Sequence, residues 1–190
     1  MRIISGRLRG RKLTAPALKG LRPTSDMARE ALFNILREHI VGCRFLDVCA
    51  GVGTVGLEAL SRGAENVVFI ERDAACVAAL KKNIARCNCE RQATVMHSDA
   101  LLALKRLMKA GERFDIVFAD PPYEGQLTMK LLQWFSDNAD LLTERGLVII
   151  QHSVRQSLPV ECGLLRLTKR HCVGETAFSF YVVNRSDGMA

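Results

Sequence analysis

The sequence predicts an α/β protein: a doubly wound, mostly parallel sheet of about seven strands, with antiparallel C-terminal strands and helices on both faces. Three observations predict it. Short apolar runs alternate with amphipathic segments from residue 45 to residue 151, as parallel strands buried on both faces alternate with crossover helices. A glycine pattern, Gly51-Val52-Gly53-Thr54-Val55-Gly56, joins the first run to the first of these helices. The last two apolar runs have no helical pattern between them, so they pair antiparallel across Val173-Gly174-Glu175.

The chain opens with a basic arm, residues 1–24, ahead of a body spanning 25–190. Its first 25 residues hold Arg2, Arg7, Arg9, Arg11, Lys12, Lys19 and Arg22 and no acid. The whole chain has 27 basic and 20 acidic side chains, so the body is balanced and the net +7 belongs to the arm. A neutral body with one cationic arm points to a polyanionic partner. The arm reads equally as a hairpin or an extended strand. Pro23 and then Thr24 or Ser25 mark a helix start. From there to about residue 40, Ala28, Ala31, Leu32, Ile35 and Leu36 share one face. Strands follow at 45–49, 66–70, 93–97, 114–119 and 146–151, with helices at 55–61, 74–86, 101–109 and 127–138. The closing strands are 165–171 and 177–183.

Composition narrows the class. With 190 residues, 48% hydrophobic and 25% charged, the chain is long enough for a core without disulfide or metal. Its seven cysteines lie at irregular spacing with no C-x-x-C. They read as reduced thiols of a cytoplasmic protein. No run of ~18 apolar residues occurs, so no membrane span or signal segment is expected. His39, His97, His152 and His171 show no metal-ligand spacing, and no metal is assigned.

The glycine turn follows a strand and opens a helix, the context in which backbone approaches a nucleotide-like ligand. Asp47 sets the kind of ligand. A carboxylate beside this turn would repel a pyrophosphate but attract a cationic cofactor without phosphate, and S-adenosylmethionine fits. A nicotinamide dinucleotide is the weaker alternative. Glu71, twenty residues after Gly51 and at the end of the second strand, can accept ribose hydroxyls. Ser98-Asp99-Ala100 follows the third strand, where Asp99 can accept from an adenine amine or cap the next helix.

The fourth strand runs into Asp120-Pro121-Pro122-Tyr123. Two prolines stiffen this turn and bring carbonyls without competing N–H donors. Asp120 adds an acceptor and Tyr123 an aromatic face, parts that suit the exocyclic amine of a nucleobase. Bonds from both amine hydrogens to Asp120 and the Pro121 carbonyl would make the nitrogen pyramidal, its lone pair free to attack a methyl on sulfur.

Asp120-Pro121-Pro122-Tyr123 together with the Asp47/Gly51/Gly53/Gly56 loop resembles class I S-adenosylmethionine-dependent amino-methyltransferases, whose fold is Rossmann-like. The resemblance narrows through several further stretches: Met1-Arg2-Ile3-Ile4-Ser5-Gly6, Arg22-Pro23-Thr24, Arg29-Glu30-Ala31-Leu32-Phe33-Asn34-Ile35-Leu36, Gly56-Leu57-Glu58-Ala59-Leu60-Ser61-Arg62-Gly63-Ala64 and Phe114-Asp115. With these the chain resembles the small-subunit ribosomal RNA methyltransferase D family, specifically so up to about Tyr123. The resemblance implies methylation of a guanine N2 in 16S ribosomal RNA. It assigns Asp47, Gly51, Gly53, Glu71, Asp99 and Ala100 to the cofactor, and Asp120, Pro121, Pro122 and Tyr123 to the target base. Val52 stands where the family often has serine, and Cys49 replaces a bulkier residue.

In this setting Arg7, Arg9, Arg11, Lys12 and Arg22 are expected to hold RNA phosphates, on naked RNA or the small ribosomal subunit. Two alternatives compete. An adenine-N6 methyltransferase of DNA or RNA would share the acceptor motif, although no inserted target-recognition region interrupts the sheet. A non-catalytic RNA-binding protein on the same fold would not need both loop and motif intact.

Overall fold

The computed structural model describes residues 1–16, 25–122 and 126–184. Among them the chain runs α1 (Asp26–Ile35), β1 (Arg44–Val48), α2 (Thr54–Ser61), β2 (Asn66–Glu71), α3 (Ala74–Cys87), β3 (Ala93–His97), α4 (Ala100–Lys109), β4 (Phe114–Ala119), α5 (Leu127–Asp137), β5 (Leu142–Ser153), β6 (Glu161–Cys162), β7 (Leu165–Val173) and β8 (Thr176–Val183). The strands form one sheet in the order β3-β2-β1-β4-β5-β8-β7-β6. The first five pair parallel, and β8, β7 and β6 close it antiparallel. The expected alternation is therefore present, with β7 and β8 joined across Gly174-Glu175.

Alternate residues of each strand feed two cores. On one face Phe45, Phe69, Phe118 and Phe178 pack with Leu32, Phe33, Leu57 and Leu60 from α1 and α2. On the other Leu46, Ile70, Val117 and Val148 pack with Leu104 of α4 and Leu131 and Phe135 of α5. Helix starts follow local chemistry. The Ser25 side chain accepts from the Ala28 N–H, and Asp73 accepts from that of Cys76, each filling an orphan donor.

Beyond shifts of one or two residues at element ends, the structure departs from the sequence reading in three places. The first helix stops at Ile35 rather than near residue 40. Leu36 still donates to Leu32, but His39 then donates to Leu36 and Cys43 to Ile40, three residues back. These tighter turns reverse the chain into β1 while Leu36 and Ile40 stay buried, so the apolar period outlasts the helix. β5 begins at Leu142, earlier than expected, because Thr143-Glu144-Arg145 breaks its apolar run without ending the strand. An eighth strand, β6, has two residues, too few for any periodic signal.

The described part of the arm is a hairpin. Arg2 and Lys12 pair antiparallel, Ile3 donates to Arg11 and Gly10 donates to Ile3. It lies on the body, with Ile3, Leu8 and Leu13 buried in the first core; at roughly 1.5–3 kcal/mol per side chain this is a substantial anchor. Buried Glu58 accepts from the N–H groups of Ile4 at 2.8 Å and Ser5 at 3.0 Å. Covered by sheet on one side and by arm and α1 on the other, α2 has all eight residues buried. No helix among the described residues is long and apolar enough to cross a membrane.

Candidate active site

Strand order reverses at β1, which has β2 on one side and β4 on the other. Beyond the carboxyl ends of such strands an open α/β sheet leaves its ligand crevice. The glycine turn leaves β1 here, and Gly53 shows why this residue type is needed. Its φ is +83°, and an added Cβ would lie 2.3 Å from Leu80 Cδ1 of α3. Cys49, just past β1, also takes a positive φ, 62°. Val52 turns its side chain into a small cluster with Cys76 and Ala79 of α3, which accounts for an apolar residue at that position.

Three carboxylates converge beneath the turn. Asp47 is buried and its Oδ2 accepts from the Gly56 N–H at 2.9 Å. Burial pushes its pKa up to about 7, against the help of that N–H, and the charge of Glu71 adds to the rise. Glu71 Oε2 accepts from the Gly51 N–H at 2.8 Å, while Oε1 accepts from Arg72 and Asp73. It therefore shapes the loop that follows β1 and the turn into α3. Asp120 follows β4, its N–H donating to the Val48 carbonyl at 3.2 Å. Burial, and next the charge of Asp47, push its pKa up to about 8, while a hydrogen bond from the Gln151 side chain pulls it down. Gln151 ends the apolar run of β5 and is itself buried. Only the pairing of β4 with β5 brings it to Asp120, so no signal along the chain marks it.

The remaining expected residues divide. Asp99 caps α4, its Oδ1 accepting from Leu101 at 3.0 Å and Leu102 at 3.3 Å, so the capping alternative is realised and Oδ2 is not used by the cap. Ala100 is buried beside it, Pro121 is buried and Pro122 is exposed. Tyr123 and Arg22 lie outside the described residues. On the arm, Arg7 and Arg11 are engaged with the body. Arg7 donates to the Leu60 carbonyl at 3.3 Å and to Gln92 at 2.5 Å, and Arg11 donates to the Arg86 carbonyl at 2.9 Å. Both guanidiniums thus meet carbonyls near helix C-termini, where cations are favoured. The side chains of Arg9 and Lys12 are exposed, with no partner among the described residues. Arg86 of α3, whose carbonyl Arg11 holds, is an exposed cation next to the arm, and only the fold brings the two together.

The family described as Conserved hypothetical protein 95 matches residues 1–182. The ribosomal RNA small subunit methyltransferase D of Escherichia coli K12 is 38% identical over 95% of this chain and 89% of its own. The chain belongs to the small-subunit ribosomal RNA methyltransferase D family. Another relative, YlbH of Bacillus subtilis, is 36% identical over 95% of this chain and 98% of its own. The solved structure of yhhF from Escherichia coli superposes with a TM-score of 0.81 at 38% identity, covering 95% of this chain and 96% of that one. The fold extends to SMU.776, a structure complexed with SAH, at a TM-score of 0.69 and 13% identity, covering 86% of this chain and 51% of that one. This is the Rossmann-like methyltransferase fold that the glycine turn and acceptor motif imply.

Proposed function

We propose that the protein transfers a methyl group from S-adenosylmethionine to the exocyclic N2 amine of a guanine in 16S ribosomal RNA. The observation that carries this reading is the convergence of Asp47, Glu71 and Asp120 on the glycine turn at the switch point. Buried Asp47 and half-buried Asp120 bring two carboxyl groups together at this turn, and as carboxylates they repel a pyrophosphate and attract a cation. The donor set thus fits a sulfonium cofactor, held by Asp47, Glu71, Asp99, Ala100 and the backbone of Gly51 and Gly53. When bound, that cofactor supplies a methyl group on positively charged sulfur.

The chain's own groups do the rest. Asp120, anchored through its N–H to β1 and through its carboxylate to Gln151, accepts one hydrogen of the target amine. The Pro121 carbonyl accepts the other, Pro122 stiffens the turn, and Tyr123 stacks on the base. Asp120 works by orienting the amine and stabilising its developing positive charge, and no proton need leave before transfer. Arg9 and Lys12, with Arg22, hold RNA phosphates beside the target; Arg7 and Arg11 contribute charge while keeping the hairpin in place. The division into arm (1–24) and methyltransferase body (25–190) is one of function, since the hairpin's apolar residues share the body's core.

Labelled methyl transfer to small subunits, naked 16S RNA and DNA tests the reading. N2-methylguanosine in RNA is the expected product. N6-methyladenine or labelled DNA would point to the adenine alternative, and no transfer with intact RNA binding would point to the non-catalytic one.

A further inference from the structure

Asn83 lies inside α3 with no exposed surface. Asparagine is a poor helix former and its amide is costly to bury unless paired. Here all four hydrogen-bonding positions are used. Nδ2 donates to the carbonyls of Thr14 at 2.9 Å and Val52 at 3.0 Å. Oδ1 accepts from the Thr14 N–H at 2.9 Å and from Thr14 Oγ1 at 3.0 Å. One buried amide therefore grips both backbone groups of a residue on the arm, two places beyond Lys12, and the middle carbonyl of the glycine turn. Its helix face is continuous: Cys76, Ala79 and Leu80, one and two turns earlier, press on Val52 and Gly53.

We propose that Asn83 is a positioning residue that couples the arm to the glycine turn, so that RNA and cofactor each tighten the binding of the other. This rests on the reading of the arm and turn given under Proposed function. Undocking Thr14, or turning the Val52 carbonyl away, leaves part of a buried amide unpaired. The two ends are thus held in register, and whatever fixes one favours the bound arrangement of the other. By linkage the effect is equal in both directions.

The test measures S-adenosylhomocysteine affinity of the full chain by calorimetry, with and without saturating naked 16S RNA. The ratio of the two dissociation constants is the readout. In the unaltered protein RNA should tighten binding by about fivefold or more. In Asn83→Ala the ratio should fall to about one. Thr14→Pro cuts the link from the exposed arm side, removing the N–H and hydroxyl donors while leaving α3 intact, and should do the same if Asn83→Ala does not fold. A merely structural Asn83 would lower the melting temperature and leave the ratio unchanged in both variants; that result, or a ratio of one in the unaltered protein, overturns the coupling. Arg9→Ala/Lys12→Ala separates the two ideas. If it leaves RNA affinity unchanged, the reading of the arm fails; if it weakens RNA binding while the ratio survives in the Asn83 and Thr14 variants, the coupling alone fails.

Discussion

Asp47, buried near the end of β1, and Asp120, half-buried just after the neighbouring β4, lie close enough for their charges to interact. Both hold protons more tightly than an ordinary carboxyl. Because their pKa values are raised on folding, their contribution to stability is fully present below about pH 4 and is lost as pH rises through about 7 to 8. A cation beside Asp47 reverses its penalty by favouring the carboxylate. Cofactor binding should therefore release a proton, and affinity for S-adenosylmethionine should rise by up to about tenfold per pH unit below pH 7 and level off above it. Calorimetry in two buffers of different ionisation enthalpy checks this; a pH-independent affinity would contradict it. Asp120→Asn keeps size and removes the charge. It should lower kcat by roughly 100- to 1000-fold while methyl-donor affinity changes far less, as single-turnover kinetics and calorimetry would show. The placement of Asp47 and Asp120 was legible because acids beside glycine and proline turns, at the ends of parallel strands, border the crevice where such a sheet takes its ligand. Gln151 was not, since its link to Asp120 depends on which strands become neighbours in the sheet.

The hairpin is the element where the sequence said least and the structure adds most. Its charge was plain, but in the sequence all seven cations look alike. The fold separates Arg7 and Arg11, bonded to the body, from Arg9 and Lys12, which face solvent. Two different phenotypes should result. Arg9→Ala/Lys12→Ala should reduce the salt dependence of RNA binding by about one to two in log–log slope, with little loss of stability. Arg7→Ala should lower the melting temperature and alter the salt slope less; equal effects from both variants would contradict this division. Gly6 marks the docking point. Its φ is +80° and a Cβ would fall 1.9 Å from the Ser61 carbonyl oxygen, so Gly6→Ala should loosen the hairpin and expose its first residues to limited proteolysis. The overlong helix reading at α1 has the same kind of cause. Leu36 and Ile40 are core residues by period, but the reversal into β1 replaces helix with tighter turns.

Across the whole molecule, stretches far apart in sequence that carry the family resemblance meet at one buried point. Ile4 and Ser5 from the first stretch, Arg29 from the next and Glu58 and Ser61 from the glycine-turn helix join there. Glu58 also bonds Arg62, and Arg29 donates to the Arg2 carbonyl. Glu58→Ala would leave Arg29 buried without that carboxylate and two hairpin N–H groups unpaired. It should cost about 3–5 kcal/mol, a fall of roughly 10 °C in Tm for a chain this size. A change of a degree or two would show that water replaces the network. Fold class and the succession of strands and helices were readable from alternation because a parallel sheet buries whole strands and leaves its crossover helices amphipathic. The contacts among arm, α1, α2 and α3 were not, because they join residues far apart along the chain. One measurement bears on the central claim most directly: nucleoside mass spectrometry of 16S RNA after incubation with the protein and labelled S-adenosylmethionine, beside Asp120→Asn. Label in N2-methylguanosine that is lost in the variant is the predicted result. Label in another nucleoside, or transfer undiminished without the Asp120 carboxylate, would contradict it.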